Sequence, residues 1–145
     1  MRLSRFYRRL VYWTLTLLVL SGAAWIVADQ LKAGDDAEFW QRTVATALMV
    51  HGGAAMIMLL LLGILIESHM RRAWRARLNR ATGVVMIAFN TLLVVSAFLL
   101  YYAGSETLRP WISNGHIVLG LAMPVLVLLH VIVGRRARRG NDAGT

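Results

Sequence analysis

The sequence contains no cysteine, which excludes disulfides, iron–sulfur clusters, thiolate zinc sites and covalent haem attachment through CxxCH. It has two prolines, and seven acidic residues stand against 16 Lys and Arg. Charge is missing altogether from four long runs, residues 10–28, 43–66, 81–105 and 110–134, which hold 19, 24, 25 and 25 residues. About 20 helical residues cross a hydrocarbon core of about 30 Å, so each run is long enough to span a bilayer. With 58% hydrophobic residues and a mean hydropathy of +0.59, the 145-residue chain spends most of its length on these runs. The remainder is too short for a soluble catalytic domain or a nucleotide-binding βαβ unit, which leaves the interior of a helix bundle as the place for chemistry.

The charges that remain set a topology. Thirteen of the sixteen basic residues fall in three blocks: Arg2, Arg5, Arg8 and Arg9; Arg71, Arg72, Arg75, Arg77 and Arg80; and Arg135, Arg136, Arg138 and Arg139. Five of the seven acids, Asp29, Asp35, Asp36, Glu38 and Glu106, lie in the other two loops. The positive-inside rule then puts both termini in the cytoplasm, and the expected fold is an all-α integral membrane four-helix bundle forming one domain over residues 1–145. Headgroup contact and topology account for each basic block, so the pI near 11.4 calls for membrane lipid and no nucleic acid. The first run is long for a signal-peptide core and carries Trp13 and Trp25, so it is expected to be a retained span. Trp25, Trp40, Trp74, Trp111, Tyr12, Tyr101 and Tyr102 cluster near span ends, as interfacial anchors do. Pro110 suits a helix start, and Pro124 is expected to kink the fourth span.

The two halves read as a weak tandem repeat: a basic segment, a span carrying Ser21-Gly22 or Thr82-Gly83, an outer loop with Trp40 or Trp111, and then a span that begins with a histidine. All four histidines lie on the two inward-running spans or at their ends, His51 and His69 on the second and His116 and His130 on the fourth. On an ideal α-helix His51 and His69 share a face, while His116 and His130 lie about 40° apart. The separations along each helix, about 27 Å and about 21 Å, keep four imidazoles from gathering on one ion but allow two pairs at two depths. His51 and His116 stand at similar distances from the outer ends of their spans and form the best-matched pair. Two imidazoles facing one another across a bundle suit the axial positions of a haem iron, and Gly52, Gly53 and Ala55, with Gly115, Gly120 and Gly134, supply small residues beside them. Polar side chains inside a bilayer are costly unless buried and paired, so these histidines are functional candidates. An interhelical hydrogen bond is the competing reading for each of them.

His116-Ile117-Val118-Leu119-Gly120, followed by Leu128-Leu129-His130-Val131, resembles the HxxxG and LH elements of the four-helix bacterial membrane cytochromes b. That family includes the b561-like quinol-linked cytochromes and the b subunits of membrane-bound hydrogenases and formate dehydrogenases. The second span, with His51 leading a patch of small residues, is similar to the family's other ligand helix, and Arg9-Leu10-Val11-Tyr12-Trp13 resembles its first helix. Many members place a ligand histidine close to the position of Tyr12, and this chain has none there. Tandem members carry His-x13-His on both ligand helices, where the second span here has Leu65, with His69 one turn further in.

The resemblance implies two haem b groups, an outer one on His51 and His116 beside Gly120 and an inner one on His130 with His69 as the available partner. One haem is the outcome if His69 does not ligate; Met86 and Met70 are further sixth-ligand candidates. It also implies a multi-pass protein of the bacterial inner membrane that moves electrons between quinone and a periplasmic redox protein or catalytic subunit. The short loops favour an electron-transfer subunit of an oxidoreductase, in a homo- or hetero-oligomer. Arg42, Arg109, Asn114, Arg71, Arg72 and Arg135 are candidate propionate partners, and Glu67 and Glu106 candidate proton exits. Three other classes compete: a cofactor-free anchor or assembly subunit whose histidines make interhelical bonds; a proton conduit or transporter, for which the spans lack buried carboxylates; and self-contained catalysis such as superoxide oxidation feeding quinone, which needs a cationic funnel where the outer loops carry net negative charge.

Overall fold

The computed structural model describes residues 4–76 and 79–142, with side chains through residue 137. Arg2, Arg77 and the side chains of Arg138 and Arg139 lie outside the described residues. Among those described, all regular structure is helical: α1 (Arg5–Leu31), α2 (Ala37–Leu65), a π-helical turn (Ile66–Met70), α3 (Arg71–Arg75), α4 (Arg80–Tyr102) and α5 (Arg109–Asp142). Four helical segments, Arg5–Leu31, Ala37–Arg75, Arg80–Tyr102 and Arg109–Ala137, are long and apolar enough to cross a membrane, as a multi-pass membrane protein requires. Their apolar side chains are largely uncovered, with Trp13 and Leu60 each 72% exposed, which is the composition expected of a surface meeting lipid tails.

The chain divides between His69 and Met70 into two compact units, each an antiparallel pair of long helices: α1 against α2, and α4 against α5. In the first hairpin the buried residues fall seven apart on both helices, Thr14, Ser21 and Ala28 on α1 and Ala47, Ala54 and Leu61 on α2. A repeat of seven keeps one seam turned toward the partner helix. Five of these six residues are small, which lets the backbones approach where lipid supplies no hydrophobic drive. The two hydroxyls satisfy themselves on their own helix, Thr14 Oγ1 donating to Leu10 O at 2.9 Å and Ser21 Oγ to Leu17 O at 2.7 Å.

The second hairpin follows the same period with larger residues. Among its described residues Met123 is the one buried apolar residue, 5% exposed, and His116 and His130 lie seven residues to either side of it on α5. Facing them on α4, Thr82, Phe89 and Ser96 are half-buried and likewise seven apart. α5 runs without interruption through Pro124, and Pro110 sits in its first turn, where a missing N–H costs nothing. Outside the seams, Lys32 pairs with Asp29 at 2.5 Å and Arg42 with Glu38 at 2.6 Å. Arg42 is therefore engaged by Glu38 on its own helix, and Asp29 by Lys32.

Candidate functional site

Ser21 on α1 and His51 on α2 meet across the first hairpin. His51 Nδ1 lies 3.0 Å from Ser21 Oγ and 3.0 Å from the carbonyl oxygen of Leu18. A carbonyl only accepts, so Nδ1 carries the proton, and in the neutral ring the lone pair resides on Nε2. Ser21 agrees with this assignment, because its single proton is directed at Leu17 O and Leu18 O and it turns a lone pair to the ring. The ring reaches the Leu18 carbonyl beside Gly22, where an added Cβ would meet His51 Cε1 at 3.4 Å and Nδ1 at 3.6 Å. A Cβ at position 22 would rest against the imidazole, and side-chain atoms beyond it would have to share that space.

The second hairpin builds the same contact twice. Ser96 Oγ lies 3.0 Å from Leu93 O and 2.8 Å from His116 Nδ1; with its proton on the carbonyl, it accepts from the ring. Fourteen residues along each helix, Thr82 Oγ1 lies 2.8 Å from His130 Nδ1 and gives its proton to Asn79 Oδ1 at 2.6 Å. Asn79 Nδ2 in turn donates to the carbonyl of His130 at 3.3 Å, which closes a ring of four polar groups. The orientation of the Asn79 amide is settled by that carbonyl, which cannot donate. Asn79 stands at the start of α4 in the left-handed region, φ 52°, a conformation that Asn tolerates better than most residues. A Cβ at Gly134 would come within 3.3 Å of Asn79 Nδ2. Gly134 thus makes room for Asn79, where its position near His130 had suggested room for a macrocycle.

In both hairpins a side chain from one helix adds a second bond to a carbonyl in the ladder of the other, and the residue four positions later is glycine: Leu18 with Gly22, and His130 with Gly134. The hydroxyl partners also revise the repeat. The equivalent of Ser21 is Ser96, which holds the leading histidine of its hairpin, and not Thr82, which belongs to the inner level.

His69 is half-buried within the π turn Ile66–Met70. Hydrogen bonding from i to i+5 widens that turn, so the even α-helical phase that would set His69 on the His51 face is interrupted just before it. Met70 closes the same turn, and Met86 is a half-buried seam residue of α4 whose carbonyl accepts from Asn90 Nδ2 at 2.8 Å. An added Cβ at Gly52, Gly53, Gly115 or Gly120 would meet no heavy atom within 4 Å, so helix packing within the hairpins does not explain these four glycines. Trp25 is not an anchor with its N–H in the headgroup layer: its Nε1 is buried without a hydrogen-bond partner, the one such side-chain atom among the described residues. Trp111, Tyr101 and Tyr102, by contrast, are 78%, 84% and 74% exposed.

Sequence reasoning singled out the imidazoles and missed Ser21, Ser96, Thr82 and Asn79 as their partners. A signal was present, since Thr82 and Ser96 are separated by the same fourteen residues as His116 and His130. No protein-family model, curated protein or solved structure matches the chain.

Proposed function

We propose that the chain is a b-type membrane cytochrome that passes electrons across the bilayer between the quinone pool and a periplasmic redox protein or catalytic subunit. One observation carries this reading. Three imidazoles in apolar helices each have Nδ1 within 3.0 Å of a hydroxyl oxygen whose proton has another acceptor, and His51 Nδ1 also faces a carbonyl, an arrangement that fixes the ring and favours the lone pair on Nε2. Metal-ligating histidines are commonly held this way, and the donor set fits haem iron, for which neutral imidazole is a good axial ligand. His51 and His116, paired by their matched positions in the sequence, are assigned to an outer haem, with Gly120 one turn after His116 on the same helix. His130 is assigned to an inner haem with His69 as its partner. Bound haem would supply one-electron chemistry at the iron; the chain's part is to present nitrogen ligands, orient them and exclude water.

The topology belongs to the same reading: a four-helix bundle in the bacterial inner membrane with both termini cytoplasmic, as the basic blocks around Arg71 and Arg135 favour. A pyridine haemochrome assay on the purified chain, with protein concentration, tests the proposal. Two b haems per chain are expected. One per chain removes His69 from the ligand set, and none selects the anchor reading, in which the same histidines only join helices.

A further inference from the structure

We infer that Ser21, Ser96 and Thr82, the last backed by Asn79, are positioning residues that select the nitrogen through which His51, His116 and His130 bind iron. The inference rests on the haem reading for its consequence, though not for its geometry. An imidazole in an apolar helix interior has two neutral tautomers, and without a partner at either nitrogen nothing separates them strongly. Here each Nδ1 faces a hydroxyl oxygen whose proton has another acceptor. Ser21 spends its own on Leu17 and Leu18, Ser96 on Leu93, and Thr82 on Asn79. Reversing any ring to the Nε2–H form would set a nitrogen lone pair against oxygen lone pairs at 2.8–3.0 Å. The alternative would require the hydroxyl to give up its existing acceptor, and for His51 it would still leave the Leu18 carbonyl facing a lone pair at 3.0 Å.

The partners share a second property. Each chain of bonds ends on a backbone carbonyl or on a neutral amide, never on a carboxylate. Leu17, Leu18 and Leu93 supply carbonyls, and the Asn79 amide returns to the carbonyl of His130. No group along these paths can take the Nδ1 proton away. A hydroxyl acceptor still raises the basicity of the opposite nitrogen. Removing it should make the bound iron easier to reduce, and returning a hydroxyl should reverse the effect.

The test uses the full chain as purified, labelled with ¹⁵N-histidine and reduced, so that any low-spin iron is diamagnetic. Wild-type protein is expected to show three imidazoles protonated at Nδ1 and not at Nε2. Ser96→Ala should cost one of these signals its slow exchange and move one haem to a more positive midpoint potential, while Ser96→Thr restores both. Thr82→Val and Thr82→Ser should behave the same way for His130, which guards against one variant failing through misfolding. Protonation of these rings at Nε2 in the wild type overturns the inference, as does Ser96→Ala or Thr82→Val leaving both the imidazole signals and the potential unchanged. A chain that takes up no haem defeats the ligation reading alone, since the nitrogen spectra judge the tautomers with or without iron.

Discussion

Ser96 Oγ lies 2.8 Å from His116 Nδ1, each on its own helix of the second hairpin, and Ser21 and His51 repeat the relationship at 3.0 Å in the first. Thirty residues separate the members of one pair and twenty those of the other, so the contact is conserved while the connection between helices is not. Two hairpins that differ by ten residues in their connection arrive at the same hydroxyl-to-imidazole bond. A polar pair in apolar helices has to be satisfied internally, and each hairpin supplies the bond from its own two helices.

The ligand assignment predicts a pattern of losses. His51→Ala and His116→Ala should each remove the same haem from the reduced-minus-oxidised spectrum and leave the other absorbing normally. His130→Ala should remove the second. If His51→Ala and His116→Ala eliminate different spectral components, the outer pair has been wrongly assigned.

Gly22 has a role that its neighbours Gly52 and Gly53 do not. A Cβ there would touch the His51 ring at 3.4 Å, beside the Leu18 carbonyl that the ring reaches. Gly22→Val should force the ring away, with an overpacking cost of about 1–3 kcal/mol and loss of outer haem. Gly22→Ala, which adds a contact at 3.4 Å, should be milder. Thermal unfolding followed by haem absorbance measures both; equal behaviour of Val and wild type would refute the close approach.

Asn79 combines an unusual backbone with two hydrogen bonds, and the two contributions can be separated. Asn79→Gly keeps the left-handed turn accessible but removes the bonds to Thr82 and the His130 carbonyl, a loss of about 1–2 kcal/mol. Asn79→Ala loses the same bonds and adds about 1 kcal/mol of backbone strain. Denaturation in detergent should therefore rank wild type above Gly and Gly above Ala. The reverse order of the two variants would show that φ 52° is not retained in the membrane.

Much of this was legible in the residues. Four uncharged runs longer than a bilayer thickness read directly as four apolar helices, because the hydrocarbon length permits little else. The histidines stood out for the same reason. Their partners did not, because Ser or Thr in an apolar helix ordinarily returns its proton to a carbonyl a turn earlier, and Ser21 and Ser96 also do so. Their second role becomes visible once antiparallel packing sets Thr82 and Ser96 opposite His130 and His116. The π turn at Ile66–Met70 has no compositional mark, so the helical phase assigned to His69 from ideal geometry did not survive. Trp25 read as an anchor from its place near a span end, but its Nε1 is buried.

The proposed topology can be checked without reference to haem. Reporter fusions at Gly34 and Ser105, in the two connections of the hairpins, should be active outside the cytoplasm, and fusions at Ala76 and after residue 142 should be active within it. Activity of the Gly34 and Ala76 fusions on the same side would remove the second crossing and with it the proposed outer pairing of His51 with His116.

The register of the first hairpin makes the sharpest prediction about His69. Carrying the Ser21–His51 pairing inward by fourteen residues on each helix, the step that leads from Ser96–His116 to Thr82–His130, reaches Tyr7 and Leu65. The first hairpin therefore has a second position of the same kind, filled by a phenol and an aliphatic side chain that cannot make the bond. In the proposed reading His69 takes that role from one turn further on, within a π turn. His69→Ala should remove the inner haem. Adding Leu65→His with Tyr7→Thr in that background should restore it, because the pair recreates the hydroxyl-held imidazole of the second hairpin; Leu65→His with Tyr7→Val should restore less and bind at a more positive potential. Haem content and redox titration of the three variants decide the matter. If the histidine at position 65 rescues nothing, the two hairpins are not equivalent at the inner level and the substitute role of His69 fails with them.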